Sequence, residues 1–155
     1  MVSEIDSYKP IIEETLRKFD CKSPMNLYGI AYHKIYVDGS GAPSDYEFNE
    51  VDDKFKELFS VNQDQLGKFR YENIFPENKE TKFDWVAALG QAAIFDGRSK
   101  FYSHSATLNK WFSVFSFGPK KGYAFFIFED ISNAKALEIQ KNLKNAKSSV
   151  AAQED

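Results

Sequence analysis

Histidine is the side chain best suited to moving protons near neutral pH, and the chain holds two, His33 and His104. His104 lies in Ser103-His104-Ser105, which sets hydroxyls beside an imidazole. On an extended strand adjacent side chains point to opposite faces, so neither serine is activated by it, and His104 reads as a structural or surface histidine. His33 shares parity with Gly29, Ala31, Ile35 and Val37, a small-to-aliphatic face that belongs in an interior. It is therefore either a buried histidine satisfied by backbone or water, or a polar contact for the carboxylate or hydroxyl of a ligand. The single Cys21 rules out an internal disulfide and any cysteine-based metal cluster. The sequence has no glycine-rich phosphate loop, no His-x-x-x-His and no Cys-x-x-Cys. With no nucleophile spaced to a base, it predicts a protein that is not an enzyme.

A different chemistry is offered by Asp130, Ile131 and Ser132, where a strand-like run passes directly into a helical one. Asp130 can accept from backbone N–H groups at a helix start and Ser132 can cap the same end, so the pair can fix a strand-to-helix angle.

The elements that must position these groups follow from periodicity. Residues 108–132 form two aromatic runs around Gly118-Pro119-Lys120-Lys121-Gly122, a β-hairpin. Phe112, Val114 and Ser116 share one face with Phe126 and Phe128, and Trp111, Phe115 and Phe117 share the other with Phe125 and Ile127. Both faces are apolar, so each needs a cover. Residues 26–38 alternate as another strand, and residues 45–51 return as its partner. Asp52 to Phe59 switches to helical period, and Lys82 to Phe95 reads as a longer helix stopped by Gly97. At the front, Ile5, Tyr8, Ile12, Leu16 and Phe19 make one helical stripe, with Ser7 as cap and Pro10 in the first turn. The expected fold is α+β: a five-stranded antiparallel sheet, strands near 27–37, 45–50, 98–106, 109–117 and 122–131, with a helical crossover on one face and flanking N- and C-terminal helices.

With 155 residues the chain affords one core, and 15 Phe, 8 Tyr and 2 Trp build it from large rings. A net charge of −3 without a run of five basic residues argues against nucleic acid as a partner. No apolar run approaches membrane-spanning length and the N-terminus lacks a signal-peptide pattern, so a cytoplasmic protein without membrane insertion is expected.

Several segments, in order, resemble a bacterial PAS sensory domain. They are Gly29-Ile-Ala-Tyr-His33, Val37-Asp38, Gly41-Ala-Pro43, Asp45-Tyr46 and Glu50-Val-Asp-Asp-Lys-Phe55, then Leu66-Gly67-Lys68, Ile74-Phe75-Pro76 and the hairpin closing on Asp130-Ile131-Ser132. The family's usual ending is Asp-Ile-Thr, and Ser132 keeps the hydroxyl. At Asp52 the family usually has Asn, so the amide donor is lost and a short acceptor kept. The resemblance covers about residues 25–132, leaving 1–24 as an N-terminal amphipathic helix and linker and 133–155 as a C-terminal signalling helix. Beyond Ser132, Ala136, Ile139, Leu143, Ala146 and Val150 keep heptad spacing.

The resemblance implies a sensory module that binds a small ligand or dimerises. It would regulate a downstream output domain, a histidine kinase or a diguanylate cyclase, that lies outside this chain. The alternative is a ligand-free interaction module. Haem-binding members hold iron through a histidine in the long helix, which Lys82 to Phe95 lacks. Flavin-adduct members use a cysteine near Leu66 to Pro76, where none stands, and cinnamoyl photoreceptors need a pocket cysteine that Cys21, ahead of the first strand, cannot supply. A non-covalent flavin or another small organic ligand remains compatible with these residues, and the resemblance leaves the cofactor open. The expected ligand wall is His33, Ile35, Val37, Phe112, Val114, Ser116, Phe126 and Phe128, faced by Trp85 and Leu89. Ile12, Leu16 and Phe19 are expected to cover the outer face of Trp111, Phe115, Phe117, Phe125 and Ile127 and to support a homodimer.

Overall fold

A computed structural model describes residues 3–21, 23–75, 84–138 and 141–142 of the chain. Five strands, β1 (Tyr28–Val37), β2 (Pro43–Val51), β3 (Ser99–Ser105), β4 (Lys110–Lys120) and β5 (Tyr123–Asp130), form one sheet. All pairings are antiparallel and the order is β2-β1-β5-β4-β3. The helices are α1 (Glu4–Lys18), α2 (Asp53–Phe59), α3 (Tyr71–Ile74), α4 (Trp85–Phe95) and α5, over residues 132–138, with a 3₁₀ turn at Gln63–Lys68. This is an α+β, PAS-like sheet with helices on both sides, as the alternation of the strands predicts.

The two faces carry separate cores because every strand alternates. On the inner face, Ala31, Ile35, Phe112, Val114, Phe126 and Phe128 pack with Phe55 and Phe59 of α2, Tyr71 of α3 and Trp85 and Leu89 of α4. On the outer face, Ile30, Tyr32, Phe115, Phe117, Phe125 and Ile127 lie beneath Ile5, Ile12 and Leu16 of α1. Each such aliphatic or aromatic side chain is worth about 1.5–3 kcal/mol of transfer free energy, so neither face is marginal. The register also dictates backbone choices. A Cβ at Gly29 would lie 2.9 Å from Phe55 Cα, so α2 can rest on β1 only where a side chain is missing.

Several boundaries differ from the expectation for identifiable reasons. Ser3, not Ser7, caps α1: its hydroxyl accepts from Asp6 N–H, and Glu4 and Asp6 complement the first turn. Pro10 therefore sits inside the helix. At the end of α4 the left-handed residue is Asp96 (φ 49°) rather than Gly97, and its carboxylate accepts from Gly118 N–H at 3.1 Å. The β4–β5 turn is tighter than the five residues expected. β4 runs on to Lys120, Gly118 and Pro119 form a bulge in which the missing proline N–H costs nothing, and Gly122 (φ 88°) makes the turn. Phe83 and the C-terminal positions Ile139, Leu143, Ala146 and Val150 lie outside the described residues.

Candidate functional site

The centre of the inner face is built around His33. Its ring is fully buried, and Nδ1 lies 3.0 Å from the Ala124 carbonyl oxygen. A carbonyl can only accept, so Nδ1 carries the proton and donates it. The other nitrogen, Nε2, lies 2.6 Å from the Tyr71 hydroxyl. Burial disfavours the imidazolium, holding His33 down to about 3, so near neutral pH Nε2 is an acceptor and the Tyr71 phenol donates to it. Tyr71 is itself fully buried, and burial pushes its phenol well above the usual tyrosine value.

Aromatic rings close round this pair. Tyr71 lies between Trp85, at 4.9 Å and 27°, and Tyr46, at 5.6 Å and 25°, both stacked geometries. Phe126 and Phe128 stand 5.5 Å from it on the sheet side. Tyr46 ties the cluster to the surface. Its hydroxyl accepts from Tyr71 N–H at 3.0 Å and donates to Glu72 at 2.8 Å, and the Arg70 guanidinium lies 3.9 Å from its ring centre. Arg70 is held in turn by Asp45 at 2.8 Å. Beside α3 a cleft of ≈ 490 Å³ opens between Phe59, Val61, Phe69 and Ile74, rimmed by Asp64, Lys68 and Asn73.

The predicted wall is thus brought together only in part. His33, Trp85, Phe126 and Phe128 surround Tyr71. Ile35, Leu89, Phe112 and Val114 are buried in the same core. Phe112 sits further along, stacked on Phe59 at 5.1 Å. Ser116 is buried but turned to β3, its hydroxyl 2.9 Å from that of Ser99. Val37 does not join them. It closes β1 opposite Pro43, after a register shift at Tyr36, and is 52% exposed. Tyr71 and Tyr46 were not among the expected residues. Tyr71 belongs to a four-residue helix too short to show a period, and its only signal is an aromatic residue just ahead of Ile74-Phe75.

The second constellation is the exit from β5. Asp130 accepts from Ser132 N–H at 2.9 Å, as its spacing suggests. Ser132 does not cap α5, because it is already the first helical residue. Instead its hydroxyl accepts from Trp111 N–H at 3.1 Å, and Ile131 N–H donates to the Trp111 carbonyl at 2.9 Å. The β4–β5 ladder is thereby continued into the first turn of α5. Trp111 contacts both neighbouring elements, with the ring of His104 on β3 at 4.8 Å and the Lys135 ammonium of α5 at 5.0 Å from its ring centre. It lies near α5 and not under α1, contrary to its expected place on the α1-covered face.

On the outer face Ile12 and Leu16 are buried as covering residues, whereas Phe19 lies at the margin, 39% exposed, with its ring 4.9 Å from Phe115. Asp52 shows why its carboxylate suffices where an amide was expected. Oδ1 accepts from Ile30 N–H at 3.0 Å and Phe55 N–H at 2.8 Å, so both bonds call for an acceptor, although burial still pushes its pKa above the ordinary carboxylate value.

Comparison of the chain with protein-family models and with curated proteins finds no match. Among the described residues there is no metal-binding cluster of His, Cys, Asp and Glu and no helix long and apolar enough to cross a membrane.

Proposed function

We propose that the protein is a PAS-type regulatory module of a cytoplasmic, bacterial signalling protein, with no catalysis of its own. Its output leaves through α5 toward a histidine kinase or diguanylate cyclase domain beyond this chain, and α1 supports a homodimer. The observation that carries this reading is the junction at Trp111, where Ile131 and Ser132 both bond one residue of β4. A displacement of the sheet there is passed to the helix instead of being absorbed in a loop.

The test is a chimaera joining the chain through α5 to a histidine kinase domain. Asp130→Ala and Ser132→Ala are expected to change basal autophosphorylation severalfold while each costs about 1 kcal/mol of stability, the scale of one local hydrogen bond. Unaltered autophosphorylation in both variants would contradict the reading. A second reading, a ligand-free interaction module, draws support from the rings of Tyr71 and Trp85, which occupy the middle of the inner face.

A further inference from the structure

The place where a ligand's polar group was expected to meet His33 is taken by the chain's own Tyr71 hydroxyl, 2.6 Å from Nε2. Everything around that phenol is what a free aromatic alcohol would need. Trp85 and Tyr46 stack on its two sides, Phe126 and Phe128 line the sheet side, and a single acceptor faces the hydroxyl.

From this we infer that the inner face is a binding site for a small planar phenol, that Tyr71 is its resident occupant, and that a free phenol competes with Tyr71 for His33 Nε2.

Three observations shape the inference. The ligand must donate: because Nδ1 is committed to the Ala124 carbonyl, Nε2 of a neutral imidazole presents a lone pair. A carboxylate, which has only lone pairs, is repelled, so of the two groups first considered for His33 only the hydroxyl survives. The exchange swaps like for like, so its cost lies in moving α3 and not in losing contacts. α3 is short: it has four residues, and the side chains that hold it in the inner core are fully buried Tyr71, partly buried Ile74 and the buried C-cap Phe75. Finally, the ≈ 490 Å³ cleft borders α3 at Arg70, Asn73 and Ile74 and falls within the size range of small-molecule sites, with Phe59, Val61 and Phe69 as its apolar wall.

The inference deepens the sensory reading and rests on it, but fails separately. Absence of phenol binding would leave the kinase chimaera result untouched.

The experiment uses the full chain, p-cresol as probe and toluene as the same shape without a hydroxyl, in wild-type and Tyr71→Phe proteins. Phenylalanine keeps the ring and so the fold, but cannot bond His33. Saturable p-cresol binding is expected in both, roughly tenfold tighter in Tyr71→Phe because the resident competitor has lost its hydrogen bond. Toluene should gain by the same factor, since it too displaces a ring that no longer bonds His33, and in each protein it should bind roughly tenfold more weakly than p-cresol because it offers His33 Nε2 no donor. In the wild type, p-cresol should shift the His33 Nε2 nitrogen resonance at saturation. The inference is overturned if p-cresol shows no saturable binding, if toluene binds as tightly as p-cresol, or if p-cresol binds without moving the His33 signal.

Discussion

The sheet buries phenols on both faces, and the most deeply buried of each, Tyr71 and Tyr32, are treated oppositely. Tyr71, on the inner face, has its hydroxyl on His33 and its backbone N–H on Tyr46. Tyr32, on the outer face, is as deeply buried, yet its hydroxyl finds no hydrogen-bond partner among the described residues. Its ring is stacked on Tyr123 at 5.5 Å and tilted on Phe125 at 4.6 Å, so it is held by packing alone. An unmade hydrogen bond in such a place costs about 1–3 kcal/mol, and a structure tolerates it only where packing gives more in return. The inner face is therefore specified by polar geometry and the outer face by apolar contact. A site able to choose a ligand by its chemistry belongs on the first, and a surface for covering belongs on the second.

That contrast can be broken by substitution. The largest effect is expected from Trp85→Ala, which removes the ring packed against both Tyr71 and Phe75 at 4.9 Å and should lower unfolding free energy by about 3–5 kcal/mol in denaturant titration. Next comes Tyr71→Phe, which strands the buried His33 Nε2 and should cost about 1–3 kcal/mol.

Acid provides a third test, with its sign fixed by His33. The folded ring stays neutral down to about 3, whereas an unfolded histidine takes its proton near the ordinary value. The unfolded chain therefore binds the extra proton. Stability from this group is intact above roughly pH 6.5 and is lost as pH falls, by about 1.4 kcal/mol at pH 5.5. Unfolding free energies of wild type and His33→Gln from denaturant titration should diverge by that amount between about pH 8 and 5.5, with the variant the flatter.

The smallest effect has the opposite direction. Tyr32→Phe removes a hydroxyl without a partner among the described residues and should leave stability unchanged or raise it by up to about 1 kcal/mol. Equal losses in Tyr32→Phe and Tyr71→Phe would erase the distinction between the faces.

What could be read beforehand divides along similar lines. Period-two alternation in residues 28–37, 110–117 and 123–130 assigns each side chain to its face, because the choice is binary and a one-residue slip would reverse it wholesale. His33, Phe126 and Phe128 were legible for that reason, and the bond from Ser132 N–H to Asp130 was legible because it spans only two residues. Contacts between distant segments were not. The partner of His33 is 38 positions away, and the Ser132 hydroxyl turns to Trp111 because the ladder leaves that N–H open, a fact of strand register rather than of local sequence. Val37 and Ser116 show the same limit. Their parity is right, but a register shift at one strand end and the proximity of Ser99 decide what each meets.

The account turns on a neutral His33 with its proton on Nδ1, since that single state makes Nε2 an acceptor, places the Tyr71 phenol and selects for a hydroxyl donor. Nitrogen NMR of the imidazole in the full chain measures it directly. At about pH 5, where an exposed histidine is charged, His33 is predicted to show one protonated nitrogen, Nδ1, and one unprotonated, Nε2, and Tyr71→Phe should shift the Nε2 signal most. An imidazolium at that pH, or a neutral ring with its proton on Nε2, would contradict the account.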